Sequence, residues 1–138
     1  CRLALETAAG GKKTALVCSG DAGVYGMAGI TLELATEFPE VDVHVIPGVT
    51  AALSGAALLG APLGHDFTVI SLSDLLTPWE LIERRLAAAA EGDFAICLYN
   101  PSSHKRHDYL QKACQILLQK KSVESRGISG AMAKKNEF

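Results

Sequence analysis

The stretch "CSGDAGVYGMAG", residues 18–29, decides how this chain is interpreted, because four glycines stand in it at every third position. A carboxylate, Asp21, follows the first of them, Gly20. A nearly continuous apolar run at 14–20 precedes the glycines, and apolar residues at helical spacing follow them at 27–38. A buried strand, a glycine-rich turn and a helix in this order are typical of a ligand-binding loop at the carboxyl end of a parallel sheet.

The next segments continue this alternation of strands and helices. The segment "VDVHVIPG" at 41–48 has the pattern of a strand, and a helix of small residues follows it and ends at Gly60. We therefore predict parallel strands at about 14–18 and 41–46, in an α/β fold.

A second set of elements begins at residue 65, after a junction that contains glycine and proline. The segments "HDFTVISLSD" and "DFAICLYNP" each predict a strand, and a helix follows each of them. The first of these helices has a predicted capping box, with Thr77 as the N-cap and Glu80 three residues later. The second helix would be capped by Ser102 or Ser103.

The composition indicates a globular chain with a sizeable core: of 138 residues, 49% are hydrophobic, and the net charge is −2. This charge gives no basis for a nucleic-acid partner, and the lack of a run of about 20 apolar residues gives none for a membrane span. The start of the chain has no signal-peptide pattern, so we expect a cytoplasmic protein. No metal site is predicted, since the four cysteines form no C-x-x-C pair and His104 and His107 have no third ligand in view.

The glycine-rich loop matches neither of the common phosphate-binding motifs. It reads G-D-A-G-V-Y-G rather than G-x-G-x-x-G or G-x-x-x-x-G-K-[ST]. An acidic residue inside the loop also disfavours a phosphate and favours a ribose, an amine or a cationic centre. The alternative, that the glycines serve only the turn and that Asp21 only caps the loop amides, stays open.

Two further strand ends carry polar residues that would face the same crevice. Thr50 follows the Pro-Gly turn of "IPGVTAA" at 46–52, and Asn100 follows the tyrosine of "YNP" at 99–101. Thr50 could equally be a helix N-cap, and Asn100 a turn residue before proline. A ligand clamped between two domains is the interpretation that unites the three loops.

Four segments, "SGDAGVYGMAG", "PGVTAALSGAALLGAPLGHDF", "SLSDLLTPWE" and "LYNP", stand in an order that closely resembles the tetrapyrrole methylases of cobalamin biosynthesis. The resemblance implies the two-domain α/β architecture of that family, here partial. Residues 1–64 would be the C-terminal part of the first domain, 65–119 the N-terminal part of the second, and 120–138 an irregular or atypical tail. On this resemblance the chain looks like an internal fragment.

The same resemblance implies S-adenosylmethionine as the cofactor, in a cleft between the two domains. The residues at the matching positions are Ser19, Gly20, Asp21, Val24, Thr50, Ala51 and Asn100. Asp21 is the candidate for a catalytic side chain, as a group that orients the cofactor or a pyrrole N–H. The implied reaction is methyl transfer to C17 of precorrin-3B or cobalt-precorrin-3, with ring contraction, in a homodimer.

Two interpretations from other classes remain beside this one. A nucleotide-binding oxidoreductase is disfavoured by the spacing of the glycines, although Asp42 is a loose match to the acid that binds a ribose. A non-catalytic fragment or assembly module is suggested by the two ends of the chain, whose uncovered edges would drive self-association. Whether the substrate carries cobalt stays open.

Overall fold

A computed structural model describes residues 1–101 and 107–119 of the chain. The protein divides into two compact units, Cys1–Ser54 and Gly55–Phe138. Its elements are α1 (Arg2–Ala9), α2 (Ala28–Ala35), α3 (Ala51–Leu58), β1 (Phe67–Ser71), α4 (Trp79–Glu91), β2 (Ala95–Tyr99) and α5 (Tyr109–Leu118). The predicted helix after the glycine-rich loop, the helix after the Pro-Gly turn and both later strands are confirmed.

The first unit contains two helices, α1 and α2, that pack against each other. The Arg2 guanidinium donates to both carboxylate oxygens of Glu37, just beyond α2, at 2.9 and 2.8 Å. Leu5 of α1 and Thr31 of α2 are buried, and the Thr31 hydroxyl donates to the carbonyl oxygen of Met27 at 2.7 Å. Helix α1 is not among the predicted elements, although "RLALETAA" is rich in good helix formers.

The two strands predicted in the first unit are wrong. Residues 12–18 and 41–50 have no regular secondary structure, and the sheet in the described part of the chain consists of β1 and β2. An extended segment becomes a strand only when a neighbour takes its backbone hydrogen bonds, and that pairing is not a local property. Val17 and Ile46, which the predicted strands would bury, are 84% and 76% exposed.

The second unit is built on a parallel pair of strands with a helix between them in the chain. Strand β1 pairs with β2 in a register that runs from Phe67 opposite Ala95 to Ser71 opposite Tyr99. Helix α4 packs against both strands, and α5 packs against α4. The core that results is formed by the buried residues Ile70, Leu72, Ile82, Leu86, Ala89 and Ala113.

The predicted capping box of α4 is also wrong. Pro78 takes the N-cap position with an extended backbone (φ −56°, ψ 144°), and no side chain caps the helix. Because the helix begins one residue after proline, Thr77 lies too early in the chain to cap it. Glu80 still lies in the first turn, where a negative charge is favourable.

Trp79 and Tyr109 join the starts of α4 and α5. Their ring centroids are 4.4 Å apart, the Trp79 indole N–H donates to Glu83 at 2.6 Å, and the Tyr109 hydroxyl donates to Asp74 at 2.6 Å. The two rings therefore anchor α5 to α4 beside the core.

Some sequence predictions concern parts of the chain that the structure leaves undescribed. Ser102, Ser103, His104 and the predicted tail at 120–138 lie outside the described residues. The predicted domain limits after residues 64 and 119 stay predictions. Within residues 1–101 and 107–119, no helix combines the length and apolar character needed to cross a bilayer.

The core of the second unit can be tested with one substitution at two sites. Leu86 is fully buried in α4, whereas Leu76, on the loop before it, is 95% exposed. Leu86→Ala should lower the free energy of unfolding by about 2–5 kcal/mol, because it leaves a cavity. Leu76→Ala should change it by no more than about 0.5 kcal/mol. Urea unfolding followed by Trp79 fluorescence measures both, and equal losses would contradict this placement of the core.

Candidate functional site

The glycine-rich loop of the first unit turns at Gly20. Its backbone has φ +75°, a left-handed conformation that residues with a side chain rarely adopt. The loop closes where the Ala28 amide donates to the carbonyl oxygen of Ala22 at 3.0 Å, and α2 begins there. The sequence therefore turns sharply before the helix, as the pattern predicts.

The Asp21 carboxylate accepts hydrogen bonds from three backbone amides. Its Oδ1 accepts from Gly23 at 2.8 Å and from Val24 at 3.1 Å, and its Oδ2 accepts from Gly48 at 2.8 Å. The first two bonds lie within the glycine-rich loop, and the third reaches the Pro-Gly turn. One side chain thus joins two loops that are 27 residues apart in the sequence.

These hydrogen bonds, that of Gly48 first, hold the pKa of the Asp21 carboxyl below its usual value. Desolvation opposes this lowering of the pKa and is a smaller effect than the hydrogen bond from Gly48 or that from Gly23. Asp21 is therefore ionised at neutral pH, and its charge faces amide dipoles rather than a cation.

The two loops approach each other closely at Gly20 and Gly48. A Cβ added at Gly48 would overlap the carbonyl oxygen of Gly20, so this position accepts no side chain while the loops stay in place. A Cβ added at Gly20 would lie 3.6 Å from the carbonyl oxygen of Val49 and 3.8 Å from Cα of Thr50. The first unit therefore brings Gly20 and Asp21 next to Thr50.

The four glycines at three-residue spacing do not share one structural role. A Cβ at Gly26 would overlap the carbonyl oxygen of Ala22, whereas Gly29 lies in α2 with no atom within 4 Å of an added Cβ. Gly29 is an ordinary helix residue, and the earlier glycines shape the turn.

Thr50 and Ala51 lie where the Pro-Gly turn meets α3. The carbonyl oxygen of Thr50 accepts from the amides of Leu53 and Ser54, each at 3.0 Å, which makes Thr50 the first residue of the helix hydrogen-bonding pattern. Thr50 and Ala51 are both half-buried. Thr50 is therefore a residue at the N-terminus of α3, and it also lies beside Gly20.

Asn100 lies in the second unit, directly after β2. Its backbone has φ +51°, a left-handed conformation that asparagine tolerates better than most residues. Its side-chain amide donates to the Ser71 hydroxyl oxygen at 2.9 Å, and the same oxygen accepts from the Ser73 amide at 3.2 Å. Ser71 is not among the predicted site residues, although the ends of neighbouring parallel strands must meet at one edge.

Of the predicted site residues, the structure thus brings Gly20, Asp21 and Thr50 together in the first unit. Ser19 is exposed on the same loop, Val24 contributes its amide to Asp21, and Asn100 belongs to the second unit. Convergence of Asn100 on the other residues stays a prediction. No three His, Cys, Asp or Glu side chains in the described ranges lie close enough together to hold a metal ion.

Comparison with known proteins gives concordant matches. A family model described as Tetrapyrrole (Corrin/Porphyrin) Methylases matches residues 1–129. The probable cobalt-factor III C(17)-methyltransferase of Salmonella typhimurium is 53% identical over 126 residues, which are 91% of this chain and 52% of that protein. The precorrin-3B C(17)-methyltransferase of a Sinorhizobium species is 49% identical over 120 residues, which are 84% of this chain and 47% of that protein.

A solved structure agrees with these relatives. The crystal structure of the methyltransferase CobJ matches with a TM-score of 0.81 and 45% sequence identity, over 87% of this chain and 52% of that one. The chain spans about half the length of each of these three proteins.

Two glycine substitutions test the contact between the loops. Gly48→Ala should destabilise the protein by about 1–3 kcal/mol, because the new methyl group must push the two loops apart. Gly29→Ala is the matched control, and as a change in a helix with open space around it should stabilise by about 0.5–1 kcal/mol. Thermal unfolding followed by circular dichroism gives both values. A Gly48→Ala variant as stable as the wild type would refute the contact.

The lowered pKa of Asp21 predicts how its contribution to stability depends on pH. A carboxyl whose pKa is lower in the folded than in the unfolded state stabilises the fold above its unfolded pKa, about 3.9, and loses that effect as the pH falls through its folded pKa. Asp21→Asn should therefore lower the unfolding temperature at about pH 7, and the difference from the wild type should shrink toward about pH 3.

A second carboxylate of the first unit serves as the control for this titration. Asp42 has a side chain that is 84% exposed and pairs with His44 at 2.9 Å. Asp42→Asn should therefore change the unfolding temperature little at any pH. A gap between the wild type and Asp21→Asn that stays constant over the whole pH range would contradict the assignment.

Proposed function

Because the chain belongs to the tetrapyrrole (corrin/porphyrin) methylases, we propose that it takes part in S-adenosylmethionine-dependent methyl transfer to C17 of a precorrin-3 type tetrapyrrole, with ring contraction. The observation that carries this proposal is the family match over residues 1–129, which includes both loops that meet in the first unit. The names of the relatives include a cobalt-factor III and a precorrin-3B methyltransferase. Both a cobalt-loaded and a cobalt-free substrate therefore stay within the proposal.

The residues of the first unit fit the proposed cofactor. Ser19 and Gly20 are exposed, and Cα of Thr50 lies 3.8 Å from a Cβ added at Gly20, with Ala51 next in the chain. We assign the binding of S-adenosylmethionine to these four residues together with Asp21, Val24 and Asn100. When bound, this cofactor supplies an electrophilic methyl group on a positively charged sulfur.

The contribution of the protein to such a reaction is mainly positional. Transfer of a methyl group from sulfur to carbon is an in-line displacement, which is accelerated by holding the two reactants in the correct geometry. Backbone that is fixed by the hydrogen bonds of Asp21 provides a rigid edge for this purpose. Asp21 can act here either by touching the ligand or by holding the loops.

A homodimer is a further part of the proposal. Large apolar side chains are exposed in both units, among them Val17 (84%), Leu58 (86%) and Leu76 (95%). Apolar surface of this kind is typical of protein–protein contacts.

The alternative of a nucleotide-binding oxidoreductase is disfavoured by the family match.

Calorimetric titration with S-adenosylhomocysteine tests the proposed function. The wild-type chain should bind it, and Gly20→Val should weaken binding by about tenfold or more, because a β-branched residue is strained at φ +75°. Gly29→Val, the same substitution in open space on α2, should leave the affinity unchanged.

Three results would contradict the proposal. They are no binding by the wild type, equal affinity of the wild type and a folded Gly20→Val variant, and binding of NADH in place of S-adenosylhomocysteine. The last of these would favour the oxidoreductase.

A further inference from the structure

We infer that Asp21 is a positioning residue of the proposed site: it fastens the glycine-rich loop to the Pro-Gly turn, and the ligand is bound by the backbone that it holds in place. The inference rests on the proposed function for the identity of the ligand. The fastening itself rests on geometry alone, because the carboxylate has partners on both oxygens.

The three hydrogen bonds of Asp21 divide into two kinds. Those from Gly23 and Val24 are local, two and three residues along the chain, and they fix the orientation of the side chain on its own loop. That from Gly48 is the link between the loops. The arrangement needs both side-chain oxygens to accept, and an ionised carboxylate supplies two acceptors.

The link sets the distance between the two loops. It lies beside the point where the carbonyl oxygen of Gly20 occupies the space that a Cβ of residue 48 would need. Loss of the Gly48 hydrogen bond would allow the turn to move away, and Thr50 would move with it because it follows the turn directly. The relative position of Gly20 and Thr50 therefore depends on Asp21.

The same contacts argue against a role for Asp21 as a proton acceptor. A general base works best when its pKa lies near the operating pH. The amide hydrogen bonds shift the pKa of Asp21 in the opposite direction, below its ordinary acidic value. The carboxylate is thus a stable anion whose acceptor positions are directed at the protein's own amides.

Amide hydrogen exchange measured by NMR on the Asp21→Asn variant tests the fastening. The asparagine oxygen can still accept from Gly23 and Val24, but its NH₂ group would face the Gly48 amide, and two donors cannot bond. Exchange at Gly48 should accelerate about tenfold or more, while Gly23 and Val24 stay protected. Asp42→Asn, the exposed control, should leave all three amides unchanged.

The pattern of exchange decides the inference without any ligand. Selective loss of protection at Gly48 supports it. Equal protection of Gly48 in the wild type and in Asp21→Asn overturns it. Loss at Gly23 and Val24 alone, in a variant that circular dichroism shows to be folded, also overturns it, because the side chain would then serve only its own loop.

A double-mutant cycle on S-adenosylhomocysteine affinity separates positioning from direct contact. If Asp21 acts through the turn, Asp21→Asn and Gly48→Ala disturb the same link, and the double variant should bind no more weakly than the weaker single variant. Losses that multiply would show that the carboxylate touches the ligand itself, which overturns the positioning role. A wild-type chain that binds no S-adenosylhomocysteine refutes the proposed function, and the exchange pattern still decides whether Asp21 fastens the two loops.

Discussion

The first unit depends on a hydrogen bond between a carboxylate and a backbone amide in two different loops. Asp21 Oδ2 and the Gly48 amide are 2.8 Å apart, and this contact is what joins the glycine-rich loop to the Pro-Gly turn. A hydrogen bond to a charged acceptor is stronger than one between neutral groups, so one such bond can hold two irregular segments together. The absence of a side chain at Gly48 allows the close approach of the two loops beside this bond.

In the second unit, regular secondary structure positions the polar residues of the candidate site. There the parallel pairing of β1 and β2 places the ends of both strands at one edge, where the Asn100 amide bonds the Ser71 hydroxyl at 2.9 Å. The apolar core formed with α4 and α5 holds the sheet. The candidate site residues are thus positioned by strand pairing in the second unit and by a carboxylate in the first.

The sequence predicts well those features that are determined by neighbouring residues in the chain. Alternation and helical spacing are local properties, and they correctly indicated β1, α4, β2 and α5. The strands at 14–18 and 41–46 were wrong because an apolar run reports a tendency to be extended, whereas a strand needs a partner.

The errors at single residues have the same origin in geometry. Thr77 has the right side chain for a cap, but Pro78 takes the cap position and displaces the start of α4 by one residue. The spacing of the glycines suggested a single motif, although a side chain at Gly29 would meet open space. The link from Asp21 to Gly48 spans 27 residues, a distance over which no sequence pattern specifies a hydrogen bond. From the sequence, two interpretations of Asp21 stayed open: a group that contacts the ligand, and a carboxylate that only caps the loop amides.

The amides that donate to Asp21 are not free to bind an anionic ligand at this loop. A glycine-rich loop that binds phosphate directs its backbone N–H groups at the anion. Here the amides of Gly23, Val24 and Gly48 are directed at Asp21, so the loop already carries the anion that those amides would otherwise bind. A second anion would meet the charge of Asp21 without these donors. The carboxylate inside the glycine-rich loop therefore disfavours a phosphate at these amides, which agrees with the positively charged sulfur of the proposed cofactor.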